Sequence, residues 1–142
     1  MKQKNQLEIG STFKHWPGKT VTESDNNFFC LMTMNHHPIH LDRFYSKKSR
    51  FKKNLVVGTY VFSLVVGLSV KDLSINAIAN LGYEKISHLA PVFVGDTLYA
   101  NSKVLSKRKS KKNKNNFIIE IETFAKNQKN KNVISFRRFI LI

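Results

Sequence analysis

The segment from Gly58 to Leu73 constrains this chain more than any other. It opens at a glycine and is apolar nearly all round, through Tyr60, Val61, Phe62, Leu64, Val65, Val66, Leu68 and Val70, with no turn signal in its sixteen residues. A helix without a polar face has to be buried on most sides. Uninterrupted length favours a helix over two strands here despite the β-branched content. Such a helix needs a wrapper, and the C-terminal half supplies one. Ala77–Leu89, Thr97–Leu105, Phe117–Phe124 and Val133–Ile142 read as strands, with turns at Gly95-Asp96 and Asn127–Asn132. Period-2 patterning between turns predicts an antiparallel meander. The expected architecture is an α+β domain whose curled sheet wraps one long helix.

The first half is punctuated differently. Short strand-like pieces around Thr12-Phe13-Lys14 and Lys19-Thr20-Val21 flank a turn at Pro17-Gly18. Thr22 or Ser24 then offers a helix N-cap, with Glu23 and Asp25 in the first turn, where the helix dipole favours them. That short helix should end near Met34, and Pro38 places residues 35–39 in an irregular loop. A second short helix starts at Asp42. With 142 residues, no repeat and no linker, one domain spanning 1–142 is expected. Cys30 is the only cysteine and lies on the apolar helix face, so it reads as core; one thiol builds neither an internal disulfide nor a multi-thiolate zinc site. The longest apolar run, Leu55 to Val70, holds polar and small residues and falls short of a membrane span. The start, Met1-Lys2-Gln3-Lys4, leads into polar sequence rather than a signal core. A cytoplasmic protein without a membrane partner is the expectation.

Charge is the second constraint. Lys and Arg number 24 against 9 Asp and Glu, for a formal charge of +15. Much of the excess falls in residues 47–53 and 107–114, the latter placed like a charged hairpin loop between two strands. Neither patch interleaves aromatics for base stacking, and no zinc-finger or helix-turn-helix pattern is present, so nucleic acid is not the expected partner. A solvated basic surface that attracts an anionic small molecule fits better.

Chemistry concentrates in Leu31-Met32-Thr33-Met34-Asn35-His36-His37-Pro38-Ile39-His40-Leu41-Asp42. Loops held by a rigid scaffold are where catalytic groups gather. Local composition alone is equally compatible with ordinary loop residues, one His capping a helix. A metal site on His36, His37 and His40 fits less well, because adjacent side chains diverge and no carboxylate or thiolate partner recurs at a ligand spacing. Proton transfer by His40 is the third reading, since an imidazole with an ordinary pKa of about 6.5 serves as acid and base near neutrality.

Residues Thr33 to Asp42 resemble the hydratase motif of the MaoC-like dehydratases, the (R)-specific enoyl-CoA hydratases, written G-D-x-N-P-[LIV]-H. Thr20-Val21-Thr22-Glu23-Ser24-Asp25 matches the helix entry before it, Leu55-Val56-Val57-Gly58 its I-V-H-G segment, and Pro91 to Leu98 its P-V-x-x-G-D-x-[LV] turn. Four pieces in register cover roughly residues 9–142. The resemblance implies a hot-dog fold, a homodimer or dimer of dimers formed edge to edge, and an acyl-CoA thioester as substrate, with no cofactor beyond the coenzyme A the substrate carries. It implies His40 as general acid/base, Gly58 N–H as oxyanion donor, and His37, Pro38 and Val57 around the substrate.

Three departures bear on mechanism. Asn35 stands where the family has its catalytic aspartate, His37 where it has asparagine, and Val57 where it has His or Asn. An amide takes no proton at neutral pH and only orients water. In Asn35, in Leu68-Ser69-Val70 and in Asn80-Leu81-Gly82-Tyr83 the chain is similar to a subgroup acting on small branched or dicarboxylic acyl-CoAs such as itaconyl- and mesaconyl-CoA. The implied chemistry is hydration of a small enoyl-CoA, with His40 moving the proton and Asn35 holding the water. The alternatives are a hot-dog thioesterase, which would need an acidic residue that Leu55–Leu68 lacks, and an inactive acyl-CoA-binding homologue. Asp42 could orient His40 or cap a helix. His15, beside Trp16-Pro17, reads as surface packing, and His88 as an unremarkable strand residue.

Overall fold

The computed structural model describes residues 7–142; the polar N-terminal start, read above as lacking an export signal, lies outside them. Among the described residues the order is β1 (Thr12–Lys14), β2 (Lys19–Thr20), α1 (Glu23–Met32), α2 (Pro38–Leu41), α3 (Arg43–Lys48), α4 (Gly58–Leu73), β3 (Ala79–His88), β4 (Thr97–Lys109), β5 (Phe117–Lys126) and β6 (Asn132–Leu141). The apolar helix α4 has the bounds its sequence implies. All strand pairs are antiparallel, in the order β1-β4-β5-β6-β3, with β2 also on β4.

The expected meander holds for β4, β5 and β6 and fails for β3. That strand pairs with β6 at the far edge, Ala79 opposite Leu141 and His88 opposite Ile134. The turn at Gly95-Asp96 therefore closes no hairpin. Residues 89–96 instead cross the N-terminal end of α4, held by Val56 N–H to Val92 O (2.9 Å) and by Val21 N–H to Asp96 O (2.9 Å). Two boundaries differ as well. Pro38 starts a helical turn rather than interrupting one, because its missing N–H is not needed at the first helical position. Helix α1 stops at Met32, two residues early, with Thr33 as its C-cap.

The inner face explains how the sheet grips the helix. Along β4, Ala100, Ser102 and Val104 point inward; along β5, Ala125, Thr123 and Ile121; along β6, Phe136, Arg138 and Ile140; and on α4, Val65, Ser69 and Leu73, all buried. Each element reads apolar, polar, apolar. The core is thus two apolar clusters, one around Val61, Val65, Leu98 and Phe136 and one around Leu73, Val104, Ile121 and Ile140. A hydrogen-bonded polar layer separates them. His15 belongs to that layer and corrects the surface reading: it is 1% exposed, with Nδ1 on Asp72 Oδ2 (2.6 Å) and Nε2 on Ser102 Oγ (2.8 Å). Cys30 is buried as expected, and burial pushes its thiol pKa up, so it stays protonated. The second basic patch is a loop only in part: β4 runs on through Lys107, Arg108 and Lys109, which pair with Ile119, Ile118 and Phe117, and residues 110–116 make the connection to β5. No helix among the described residues is long and apolar enough to cross a membrane.

Candidate active site

Capping chemistry positions the histidine segment. Thr22 caps α1 reciprocally with Asp25: Asp25 N–H reaches Thr22 Oγ1 (3.1 Å) and Thr22 N–H reaches Asp25 Oδ2 (2.9 Å). The chain leaves α1 through Met34, whose φ of 61° is left-handed, and Asn35 N–H returns to Cys30 O (3.0 Å). His37 caps α2, its Nδ1 accepting Ile39 N–H at 3.1 Å, with Pro38 as the first helical residue. Asp42 caps α3, its Oδ1 accepting Tyr45 N–H at 2.9 Å, so its carboxylate serves the helix rather than His40. Asn35 Oδ1 lies 3.5 Å from His37 N, a weak contact that leaves its amide open to other partners.

His40 is fixed by a backbone carbonyl. Its Nδ1 lies 2.8 Å from Leu55 O. A carbonyl only accepts, so Nδ1 carries the hydrogen, and in the neutral ring Nε2 keeps a free lone pair. Leu55 is three residues before Gly58, the first residue of α4. The N–H of a first helical residue has no intrahelical acceptor. Helix α4 has no side-chain cap, and Val57 N–H is taken by Asn26 Oδ1 at 3.0 Å, so Gly58 offers the first amide available at that helix end. The Val57 side chain is buried, and its N–H is engaged by Asn26.

A cleft of about 320 Å³ opens there, walled by Arg50, Phe51, Leu55, Gly58, His88 and Pro91 among others. His88 is the residue missed from sequence. A methyl group added to Gly58 would lie 3.0 Å from His88 Cε1 and 3.1 Å from Nε2, so the ring covers the glycine directly. The structure thus joins His40 to the segment entering Gly58, and brings His88 to Gly58 in one cleft. It does not put His40 or Asn35 in the wall of that cleft. The His37 and His40 rings meet edge to face at 6.0 Å. Among the described residues no group of three or more His, Cys, Asp or Glu is placed to hold a metal ion. A second constellation, Ser102–His15–Asp72, has the hydrogen-bond order of a hydrolytic triad. Ser102 is 2% exposed and shares its hydroxyl with Thr123 Oγ1 (2.7 Å), so it can meet no substrate.

Electrostatics around α1 follow from burial and pairing. Burial raises the Asp25 pKa, but hydrogen bonds from the Lys19 ammonium (2.8 Å) and from Thr22 outweigh it and hold the carboxyl below its ordinary value. The Tyr60 phenol, in the first turn of α4, is pushed up by burial and then by the negative Asp25, so it is a neutral donor near pH 7.

Comparison with known proteins places these features. A mesaconyl-CoA hydratase of Cereibacter sphaeroides is 30% identical over 134 residues, 94% of this chain and 39% of that protein. An (R)-specific enoyl-CoA hydratase of Aeromonas caviae is 31% identical over 105 residues, 74% of this chain and 76% of that enzyme. The chain therefore spans about two fifths of the length of the first of these relatives. A double hot-dog protein of Mycobacterium tuberculosis superposes with a TM-score of 0.88 over 97% of this chain and 43% of its own, at 20% identity, which speaks for the fold alone. The hot-dog architecture expected from the sequence is the one observed. A family profile described as a MaoC like domain matches residues 4–126, and this chain belongs to the MaoC-like dehydratase family.

Proposed function

We propose that this chain adds water across the double bond of a small enoyl-CoA thioester, branched and dicarboxylic acyl groups included, or removes it in the reverse direction. The observation that carries the reading is the 2.8 Å bond from His40 Nδ1–H to Leu55 O. It leaves Nε2 as the base and anchors the ring beside the segment that delivers Gly58 N–H. Nε2 takes a proton from water while the oxygen bonds to the β-carbon; electrons move to the thioester oxygen; Gly58 N–H stabilises that oxyanion; and the imidazolium returns its proton to Cα. One such donor is worth about 3 kcal/mol, and general acid–base catalysis about 10²- to 10⁴-fold. Asn35 orients the water without exchanging a proton. His37, with Nδ1 engaged in capping, presents Nε2–H toward an acyl carboxylate, and Pro38 and Val57 border the acyl group.

The relatives named for mesaconyl-CoA and (R)-specific enoyl-CoA hydration support this substrate class. Coenzyme A arrives with the substrate and no further cofactor is required. Arg50, in the cleft wall, belongs to the basic stretch 47–53 that suits the phosphates of coenzyme A. A homodimer joined along β3 completes the proposal: β3 is the long edge of the sheet and bears exposed Leu81 and Ile86, with Ile78 just before it. The test is loss of enoyl absorbance with crotonyl-, mesaconyl- and itaconyl-CoA. Turnover that drops about 10²-fold or more in His40→Ala and survives in Cys30→Ala is expected. Release of free CoA thiol without hydration, or acyl-CoA binding without turnover, would refute it.

A further inference from the structure

Asn26 lies on α1, outside the histidine motif, and its side chain is completely buried. A buried amide is stable only when its donors and acceptor are matched. Here every partner belongs to the site. Oδ1 accepts Val57 N–H at 3.0 Å. Nδ2 donates to His40 O at 3.2 Å and, more weakly, to Leu55 O at 3.4 Å. One planar group therefore ties three segments: α1, the turn that carries His40, and the residues that enter α4. Leu55 O is also the atom that receives His40 Nδ1–H. The remaining bonds of the junction are backbone only, Leu55 N–H to Ile39 O (3.2 Å) and Val56 N–H to Val92 O (2.9 Å).

We infer that Asn26 is a positioning residue that sets the register between the His40 imidazole and the Gly58 amide. The inference rests on the roles given to those two residues above. Its logic is geometric. Donating to Leu55 O, the amide aims that carbonyl; the carbonyl fixes which nitrogen of His40 bears hydrogen. Accepting Val57 N–H, it occupies the last amide before the helix, so that the next one, Gly58 N–H, is the one left for substrate. No apolar residue reproduces this, and aspartate does so only by half. Asn26→Asp keeps an acceptor for Val57 N–H but sets its second oxygen against two carbonyls, which repel it. A displacement of about 1 Å between acid/base and oxyanion donor is enough to cost on the order of 10²-fold in rate.

The experiment compares wild type, Asn26→Asp, Asn26→Leu and Thr123→Val in hydration of crotonyl- and mesaconyl-CoA, with Tm recorded for each. Thr123→Val is the control, because Thr123 is equally buried but sits in the polar layer against the C-terminal half of α4. Both Asn26 variants are expected to lose about 10- to 100-fold in kcat with KM within about 3-fold, and to shift the acidic limb of the kcat/KM profile; Thr123→Val lowers Tm only. The second readout needs no turnover. The ¹⁵N spectrum of the wild-type histidines, with His40 assigned by His40→Gln, should show His40 as the Nδ1–H tautomer, and Asn26→Asp should mix the two tautomers. A wild-type His40 in the Nε2–H form overturns the inference whether or not any variant folds. So does a folded Asn26→Asp with wild-type kcat, or a kcat loss matched by Thr123→Val. If wild type hydrates no enoyl-CoA the proposed function fails, and the tautomer result still decides the role of Asn26.

Discussion

Met34 adopts a left-handed backbone at the position that the G-D-x-N-P-[LIV]-H pattern gives to glycine. A side chain there crowds the following carbonyl at a cost of about 1–2 kcal/mol. Because Met34 is 77% exposed, it recovers little of this by packing. Met34→Gly should therefore raise stability by about 0.5–1 kcal/mol, after the entropy glycine adds to the unfolded chain, and urea titration at constant m-value would show it. Gly58 tests the opposite case. Its backbone is ordinary, so what matters is space: an added methyl meets the His88 ring at 3.0 Å. Gly58→Ala should push that ring out of the cleft and depress hydration, while the double variant Gly58→Ala/His88→Ala relieves the contact. A double-mutant cycle on stability should give a coupling of about 1 kcal/mol. Strict additivity would mean that the ring yields freely and does not shape the cleft.

Helix α1 anchors the site, and its entry depends on the Thr22–Asp25 pair. Thr22→Ala should cost about 1 kcal/mol. Asp25 adds a pH dependence whose sign follows from its lowered pKa. A carboxyl held below its ordinary value stabilises the fold at pH above that value. The contribution is lost as pH falls from the ordinary carboxylate range through the folded value. Tm should thus decline on acidification from neutral to about pH 3 more in wild type than in the uncharged Asp25→Asn, and parallel curves would count against the pairing. The polar layer makes a second demand. His15→Leu leaves the Ser102 hydroxyl without its imidazole in a fully packed site and should cost roughly 2–4 kcal/mol, read by chemical denaturation. These elements also mark what the sequence could reveal. Helix α4, the α1 cap and the alternation of β4 and β5 are local signals, carried by residues near each other in the chain, and they read true. His15 pairs with Asp72 and Ser102, 57 and 87 positions away, and His88 meets Gly58 across the fold. Neither pairing has a local signature. The same holds for β3: its own alternation shows a strand, but its partner is decided by how far the 89–96 crossing reaches around α4. Asn35, His37 and His40 could be found by motif; Asn26 could not, since an asparagine inside an apolar-faced helix looks like any solvated polar residue until its burial is known.

At the scale of the whole molecule, a charge of +15 repels itself, and the fold spreads it over the β4–β5 loop and the stretch after α3 rather than across the sheet edge. The edge strand β3 carries only Glu84 and Lys85 as charges, although its register on β6 slips between Asn80 and Gly82 and between Glu84 and Ser87. The two ends of the sheet differ: β1 offers three residues, whereas β3 offers ten, with Ile78, Leu81, Ile86 and Leu89 exposed beside it. A long apolar edge pairs with a copy of itself unless something blocks it. His88 closes β3 and also covers Gly58, so joining two copies along this strand would seal the cleft as well as the edge. Assembly and catalysis should then fail together. Wild-type protein should sediment at twice the chain mass at micromolar concentration. Ile86→Asp, which places a carboxylate on the edge without touching the core, should sediment as a monomer and lose hydration at least about tenfold while its circular dichroism stays that of a folded chain. A monomeric Ile86→Asp with full activity would separate the edge from the site, and an unchanged dimer would move the interface elsewhere on the surface.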